Sequence, residues 1–345
     1  GTALGHGRHA GASAYKPLSV RGGSYASRPD AKDEYGGEDN GPRHHMSSDT
    51  HSSWFAGLMR LELTAPVFID DVFVYATDVG DPANLRVQVR AASNAESLFE
   101  GEIVVKATPW YPHEAGRPAA SAATPVRFAG EAAETIDIAV PEPKLWTTEN
   151  PQLYKVQVLL KDRDGRPVDD KVVTAGLRTV GQEGGTFRVN GKASMLNGPL
   201  IFGHRGPIRR IAQWMFSPPR EKWVEDILAT RKMNGNAFRM SIHDKRFSGA
   251  QDRRLARIAD QLGMMLIWQT PTWMRSGNAH GSFDFEGLPE YATAVRNQPS
   301  IVMWQPSNHP GEYGSEWYAR ILRTLAEVDP SRLISPAGRL RHGDR

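Results

Sequence analysis

Alternating apolar and polar residues dominate the chain between Trp54 and Gly176. A period of two is typical of strands that bury one face, so these runs predict β-strands. The predicted strands lie at residues 59–63, 67–69, 72–74, 85–89, 103–105, 136–140, 154–160 and 171–173. Seven or eight strands at such spacing predict a β-sandwich. Residues 112–125, rich in Ala, Gly and Pro, are predicted to form a long surface loop within it.

Beyond Gly176 the pattern changes to strands that alternate with helices. Helical periodicity covers residues 219–233 and 252–262, and Trp223, Ile227 and Leu228 are expected on the buried face of the first helix. Near-continuous apolar runs predict parallel strands covered on both faces. These strands lie at residues 196–202, 236–240, 264–268 and 301–304. Repeated βα units of this kind predict an unfinished (β/α)8 barrel.

Residues 1–53 are rich in Gly, Ser, Asp and His and contain few apolar groups, which predicts mostly irregular structure. His44, His45 and His51 have no second ligand cluster beside them, so we interpret them as solvated loop residues and expect no metal site. Because the chain opens on Gly1 rather than Met, we expect a processed or truncated start.

Composition narrows the classes of function. The 42 Lys and Arg residues nearly balance the 39 Asp and Glu residues, so no basic field predicts nucleic acid as a partner. The absence of cysteine removes disulfides and thiolate chemistry. No apolar run is long enough to cross a bilayer, so we expect a soluble chain with no membrane partner. No cofactor is expected either. The compartment stays open, with secretion or the periplasm favoured over the cytoplasm.

Several motifs occur in a defined order. Residues 145–154, Leu-Trp-Thr-Thr-Glu-Asn-Pro-Gln-Leu-Tyr, are similar to the signature that ends the immunoglobulin-like domain of glycoside hydrolase family 2. Gly-Leu-Arg at residues 176–178 and Phe-Arg-Val-Asn-Gly-Lys at 187–192 resemble the family's lead-in to its barrel. Three later segments, at residues 233–239, 262–271 and 298–304, resemble barrel strands of the same family.

The resemblance implies an immunoglobulin-like β-sandwich at residues 54–182, followed by a partial (β/α)8 TIM barrel at residues 183–345. Residues 1–53 would then be an irregular segment that remains from an N-terminal, sugar-binding β-sandwich domain. About five of the eight barrel strands are expected. In the family a glutamate nucleophile follows the seventh strand, beyond the five strands expected here.

The resemblance also implies candidate site residues. In the family the fourth barrel strand continues into Asn-Glu, where Asn holds the sugar 2-hydroxyl and Glu is the acid/base. Here Asn308 matches the Asn, but His309 stands at the Glu position. An imidazole can exchange protons near neutrality, so His309 is a candidate acid/base. Glu312, in the following loop, is a second candidate, because it could bring a carboxyl group to the site. The alternative is that His309 binds sugar hydroxyls or packs at the strand end.

Further candidates lie near the predicted C-terminal strand ends, where such barrels build their sites. Arg239 is a candidate substrate-binding residue at the end of the second strand. Trp304 and Trp268 are candidates for stacking on a sugar ring, although a Trp in an apolar strand also fits a core. His243 and His204 are candidate cleft residues from neighbouring loops.

Two functions from different classes are therefore expected. The first is a glycosidase that hydrolyses O-glycosidic bonds of β-linked sugars, as β-galactosidase, β-mannosidase and β-glucuronidase do, with altered or incomplete catalytic residues. The second is a non-catalytic carbohydrate-binding or structural relative. The expected partner is a carbohydrate substrate. Because an unfinished barrel would expose apolar strand edges, a homo-oligomer is one expected arrangement.

Overall fold

The protein is described here from a computed structural model, which covers residues 64–201, 220–240, 253–270, 287–306 and 315–335. The irregular segment predicted at residues 1–53 and the strand predicted at 59–63 lie outside the described residues. No helix in the described ranges is long and apolar enough to cross a membrane.

Seven antiparallel strands form two sheets that pack face to face as a sandwich. Their bounds are β1 (Val67–Asp78), β2 (Ala83–Ser93), β3 (Phe99–Tyr111), β4 (Ala120–Phe128), β5 (Glu131–Val140), β6 (Leu153–Asp162) and β7 (Pro167–Ala175). One sheet has the order β1-β2-β5 and the other β4-β3-β6-β7. Alternate residues point into a shared apolar core, as in β2, where Leu85, Val87 and Val89 are buried. The predicted sandwich is confirmed.

The long surface loop predicted at residues 112–125 is wrong in its second half. Ala120–Phe128 forms β4, which pairs with β3 along its whole length. The strand is hard to recognise because it begins with small residues and contains Pro125, which cannot donate a backbone hydrogen bond. An edge strand tolerates such a residue, since only one of its sides is paired.

A small antiparallel sheet connects the sandwich to the rest of the chain. It contains β8 (Val180–Glu183), β9 (Thr186–Val189) and β10 (Lys192–Ala193), in the order β10-β9-β8. Asn190 and Gly191 both adopt positive φ, of 51° and 73°, as the tight turn between β9 and β10 requires. The Asn190 amide also accepts from the Thr179 N–H and donates to the Trp146 carbonyl, which holds this turn against the sandwich.

The C-terminal part of the described chain is a parallel sheet of five strands with helices between them. The strands are β11 (Leu200–Ile201), β12 (Ala237–Met240), β13 (Met265–Gln269), β14 (Ile301–Gln305) and β15 (Leu333–Ile334), hydrogen-bonded in that order. The helices are α1 (Arg220–Lys232), α2 (Arg253–Leu262), α3 (Gly287–Thr293) and α4 (Ser315–Val328). The predicted alternation of strands and helices is confirmed.

One buried position predicted in α1 is wrong. Trp223 and Ile227 are buried as expected, and Thr230 extends the same face, but Leu228 is 45% exposed. Residues 223, 227 and 230 repeat at helical spacing, whereas residue 228 is rotated by about 100° from its neighbour at 227. The buried stripe of α1 is therefore narrower than its apolar composition indicates.

The sandwich and the parallel sheet meet over a continuous apolar contact. Trp146 and Leu153, from the signature at residues 145–154, cluster with Ala237, Met265 and Val302 of three parallel strands. The Trp146 indole N–H donates to the Asp260 carbonyl over 2.9 Å. The orientation of the parallel strands is thus tied directly to the end of the sandwich.

Candidate functional site

Polar side chains gather at the C-terminal ends of three neighbouring strands, β12, β13 and β14. Gln269 and Gln305 are direct partners in the β13–β14 register, and both are buried. Arg239, near the end of β12, donates from Nε to Oε1 of Gln305 over 2.8 Å. This hydrogen bond passes across β13, so the three strand ends share one polar layer.

Arg239 is a cation whose guanidinium is partly buried at the strand ends. Its side chain is half-buried, and desolvation by burial lowers the pKa of its guanidinium below the ordinary value. An arginine nevertheless stays charged at any physiological pH. A guanidinium has five N–H donors in a planar fork, so this group is able to bind carboxylate or hydroxyl oxygens at the strand ends.

Backbone and hydroxyl contacts join the ends of β13 and β14. The Thr270 N–H donates to the Gln305 carbonyl over 2.9 Å, and the Thr270 hydroxyl donates to the Pro306 carbonyl over 2.8 Å. Thr270 is fully buried. The residue therefore fixes the path of the chain beyond β14 and contributes no charge.

The two strand tryptophans, Trp268 and Trp304, are fully buried in the core between the sheet and its helices. The Trp268 indole donates to the Tyr291 hydroxyl over 2.6 Å, and the Trp304 indole donates to the Asp329 carboxylate over 2.8 Å. These positions match the alternative that a Trp within an apolar strand packs in a core. Neither indole presents a ring face to solvent here, and a stacking role for either one stays a prediction.

Most of the sequence-derived site residues are not among those described. His309, Asn308, Glu312, His243 and His204 all lie outside the described residues, whereas Arg239, Trp268 and Trp304 lie within them. In the ranges that the structure describes, no three His, Asp or Glu side chains are placed to hold a metal ion.

The sequence reasoning missed Gln269, Gln305 and Tyr291 as neighbours of the candidate site. A signal for the first two exists, because β13 and β14 each end in the dipeptide Trp-Gln. When two adjacent parallel strands both end in a buried Trp followed by Gln, the two Gln side chains lie side by side. The repeated dipeptide therefore indicates a polar layer that the two strands share. No comparable signal marks Tyr291, which reaches the Trp268 indole and the Gln269 carbonyl from α3.

Comparison with known proteins adds a match at the level of families. Residues 67–178 match the family described as glycosyl hydrolases family 2. A β-galactosidase from Halalkalibacterium halodurans is 26% identical over 221 residues, which cover 59% of this chain and 20% of that protein. The matched part of the chain thus spans about a fifth of the length of this curated relative.

Solved structures show the same fold. A glycosyl hydrolase family 2 member from Bacteroides cellulosilyticus superposes with a TM-score of 0.65 and 20% identity, covering 79% of this chain and 36% of that one. A β-glucuronidase from Bacteroides uniformis superposes with a TM-score of 0.61 and 22% identity, covering 79% and 34%. The superposed part is therefore larger than the sandwich alone.

Proposed function

We propose, from the premise that this chain is a relative of glycosyl hydrolase family 2, that it binds β-linked sugars and hydrolyses their O-glycosidic bonds with an altered set of catalytic residues. The proposed division is an irregular segment at residues 1–53, an immunoglobulin-like sandwich at 54–182 and part of a (β/α)8 barrel at 183–345. In such barrels the active site forms at the C-terminal strand ends.

The hydrogen bond between Arg239 and Gln305 is the observation that carries this proposal. It brings a cation from β12 to the end of β14, the strand that leads into Asn308 and His309 three and four residues later. A sugar bound at this edge would meet the guanidinium and the residues after β14 together. We assign Asn308 to a sugar hydroxyl, His309 to proton transfer, and His243 and His204 to the rim of the cleft.

Proton transfer by His309 is chemically suitable for glycoside cleavage. The leaving oxygen needs a proton donor near neutral pH, and an imidazole with an ordinary pKa of about 6.5 can donate one. A retaining mechanism also needs a carboxylate nucleophile about 5–5.5 Å from the acid. Glu312 is the candidate carboxylate in the loop after β14.

A second function is favoured by the same residue. Because His309 replaces the carboxylic acid that the family uses, the chain is also suited to bind a saccharide without cutting it. In that case Asn308, Arg239 and His309 would all serve as hydrogen-bonding groups for sugar hydroxyls.

Hydrolysis of nitrophenyl β-galactoside, β-glucuronide and β-mannoside tests the proposal. We expect turnover by the chain, a loss of at least about 100-fold in His309→Ala, and recovery in His309→Glu. His113→Ala is the matched control, because His113 is an exposed histidine in the turn after β3. Calorimetric binding of the same sugars is measured in parallel. Sugar binding without turnover would support the binding function, and neither binding nor turnover would contradict both.

A further inference from the structure

A small pocket lies between the sandwich and the parallel sheet, near the start of β14, whereas the residues assigned to sugar binding follow the end of that strand. It is about the size of one water molecule. Its polar lining is dominated by three arginines contributed by different parts of the fold. The pocket is lined by Tyr75, Arg178, Arg296, Asn297, Pro299 and Arg332, among others.

Arg178 joins the end of the sandwich to the start of β14. It donates from Nε to the Pro299 carbonyl over 2.9 Å and from Nη2 to the Ile301 carbonyl over 2.7 Å. A third bond runs from Nη1 to the Ser331 carbonyl over 3.3 Å. All three acceptors are neutral, so the charge of Arg178 has no carboxylate hydrogen-bonded to it.

Arg332 also lines the pocket, and it is paired with a carboxylate. Its Nη1 contacts the Asp329 carboxylate, and its Nη2 donates to the Gln298 carbonyl over 2.6 Å. Burial acts to raise the pKa of Asp329, but Arg332 and the hydrogen bonds from Ser331 and Trp304 hold that pKa below the ordinary value. Asp329 is therefore ionised and neutralises one guanidinium.

Arg296 completes the lining from the segment before β14. Its Nη2 contacts the Asp71 carboxylate of β1, and its guanidinium lies 4.4 Å from the centroid of the Phe73 ring. Nη1 donates to the Val328 carbonyl over 2.8 Å. The remaining nitrogen, Nε, is buried and has no hydrogen-bond partner among the described residues.

The charges around the pocket do not cancel. Two of the three guanidiniums contact a carboxylate, Arg296 that of Asp71 and Arg332 that of Asp329. The third nearby carboxyl group is Asp260, whose pKa is raised by burial to about 7, so it is largely neutral below pH 7. The nearby Arg90 is itself paired with Asp70. The excess of positive charge affects Arg178. Burial is the larger cause and the charge of Arg332 the second, and together they lower the pKa of its guanidinium to about 9. A single negative charge in the pocket would balance this excess.

We propose that this pocket binds one small inorganic anion of the chloride class, held by the Arg296 Nε–H and by the field of Arg178 and Arg332. A site of about the size of one water molecule suits a monatomic anion better than sulfate, phosphate or a carboxylic acid. The anion neutralises the third guanidinium and so strengthens the contact between β1 and the segment that precedes β14. It binds where the sandwich meets the parallel sheet, independently of any sugar.

Thermal unfolding in sodium chloride and in sodium gluconate at equal ionic strength tests the proposal. An anion that binds only the folded chain raises the apparent Tm by mass action, so we expect Tm to rise with chloride by several degrees more than with gluconate. Gluconate is too large for the pocket and serves as the screening control. Equal Tm values in the two salts at every concentration would contradict the proposal and leave a water molecule in the pocket.

Two variants localise the effect through the chloride-dependent increment in Tm, rather than through Tm itself. Arg296→Lys keeps the charge but removes the buried Nε donor, and we expect it to lose the increment. Asp71→Asn releases Arg296 from its carboxylate and is expected to enlarge the increment. Arg127→Lys, at an exposed arginine of β4, is the control and should behave as the unaltered chain. An increment that stays the same in Arg296→Lys and Asp71→Asn would place the anion elsewhere and overturn the proposal.

Discussion

Arg239 and Gln305, on strands that are not neighbours in the sheet, are joined by a hydrogen bond of 2.8 Å that passes over β13. The Gln305 side chain is itself buried, so it holds the guanidinium in one orientation at the strand ends. The site proposed for sugars depends on this orientation, because a planar fork binds oxygens only when its direction is set.

Replacing Arg239 by lysine is therefore expected to weaken sugar binding. Lysine keeps the charge but has no planar guanidinium, so it cannot donate to Gln305 and to a sugar oxygen with the same geometry. We therefore expect about a tenfold loss in affinity. Isothermal calorimetry with the sugars that bind the unaltered chain measures the loss. Arg323→Lys, at an exposed position of α4, is the control, and equal affinities in the two variants would argue against a role for Arg239.

Arg178 is expected to contribute strongly to stability. The substitution Arg178→Met keeps an apolar stem but leaves the carbonyls of Pro299, Ile301 and Ser331 without this donor. Because unsatisfied buried acceptors are costly, we expect the free energy of unfolding to fall by about 3 kcal/mol or more. Urea unfolding measures it.

The control for that experiment is Arg86→Met, which breaks an exposed ion pair with Asp137 within the sandwich. An exposed pair contributes about 0–1 kcal/mol, so its loss should shift the urea midpoint little. Similar shifts for the two variants would show that the position of Arg178 between the sandwich and the sheet is unimportant for stability.

Asp260 predicts a pH dependence of stability. Burial raises the pKa of its carboxyl to about 7 from an ordinary value of 3.8, against the lowering effect of its hydrogen bonds with Ser300. Between pH 3.8 and about 7 the unfolded chain has lost this proton while the folded chain keeps it. The unfolded state then binds fewer protons, so stability falls as pH rises through this window, by at most about 1.4 kcal/mol per pH unit.

The variant Asp260→Asn isolates this contribution. An amide oxygen can still accept from the Ser300 N–H, as Asp260 does over 2.9 Å, but it does not titrate in this window. We expect the slope of unfolding free energy against pH to become less negative in the variant between about pH 4 and 7. Parallel slopes for the variant and the unaltered chain would refute the assignment.

Gly263 is expected to tolerate no side chain. It adopts a φ of +67°, and an added Cβ would lie 2.2 Å from the Thr148 carbonyl oxygen of the sandwich. Gly165, in the turn between β6 and β7, has a similar φ of +78° but open space around it. Gly165→Ala should therefore cost only the backbone strain, about 1 kcal/mol, whereas Gly263→Ala should cost about 1–3 kcal/mol more. Both losses in the free energy of unfolding are measured with urea. Equal losses would mean that the backbone at Thr148 moves aside easily.

The strands and helices with strong periodicity were predictable from the sequence. The helix predicted at residues 252–262 is Arg253–Leu262, whose buried residues recur at helical spacing, and the strand predicted at 264–268 is Met265–Gln269. Ala120–Phe128 was not predictable in this way, because small residues and a proline carry little pattern and only the pairing with β3 defines the strand.

The polar contacts between the sandwich and the sheet could not be predicted. Arg178 and Ser331 are separated by 153 positions, and Arg296 and Asp71 by 225. No local pattern relates residues so far apart, and a lone arginine in the sequence has the composition of a surface residue. The candidate site was predicted through the resemblance alone for Asn308 and His309, whereas the repeated Trp-Gln dipeptide would have indicated the polar layer directly.

Trp146 shows what the signature at residues 145–154 contributes to the folded chain. Its buried indole packs against residues of β12, β13 and β14, so the segment between β5 and β6 of the sandwich also forms part of the core beneath the parallel sheet. A chimera that exchanges the sandwich for that of a relative would exchange this part of the core as well. A cut at the connection between the two units must therefore still match the shape of a buried indole that lies well before that connection in the sequence.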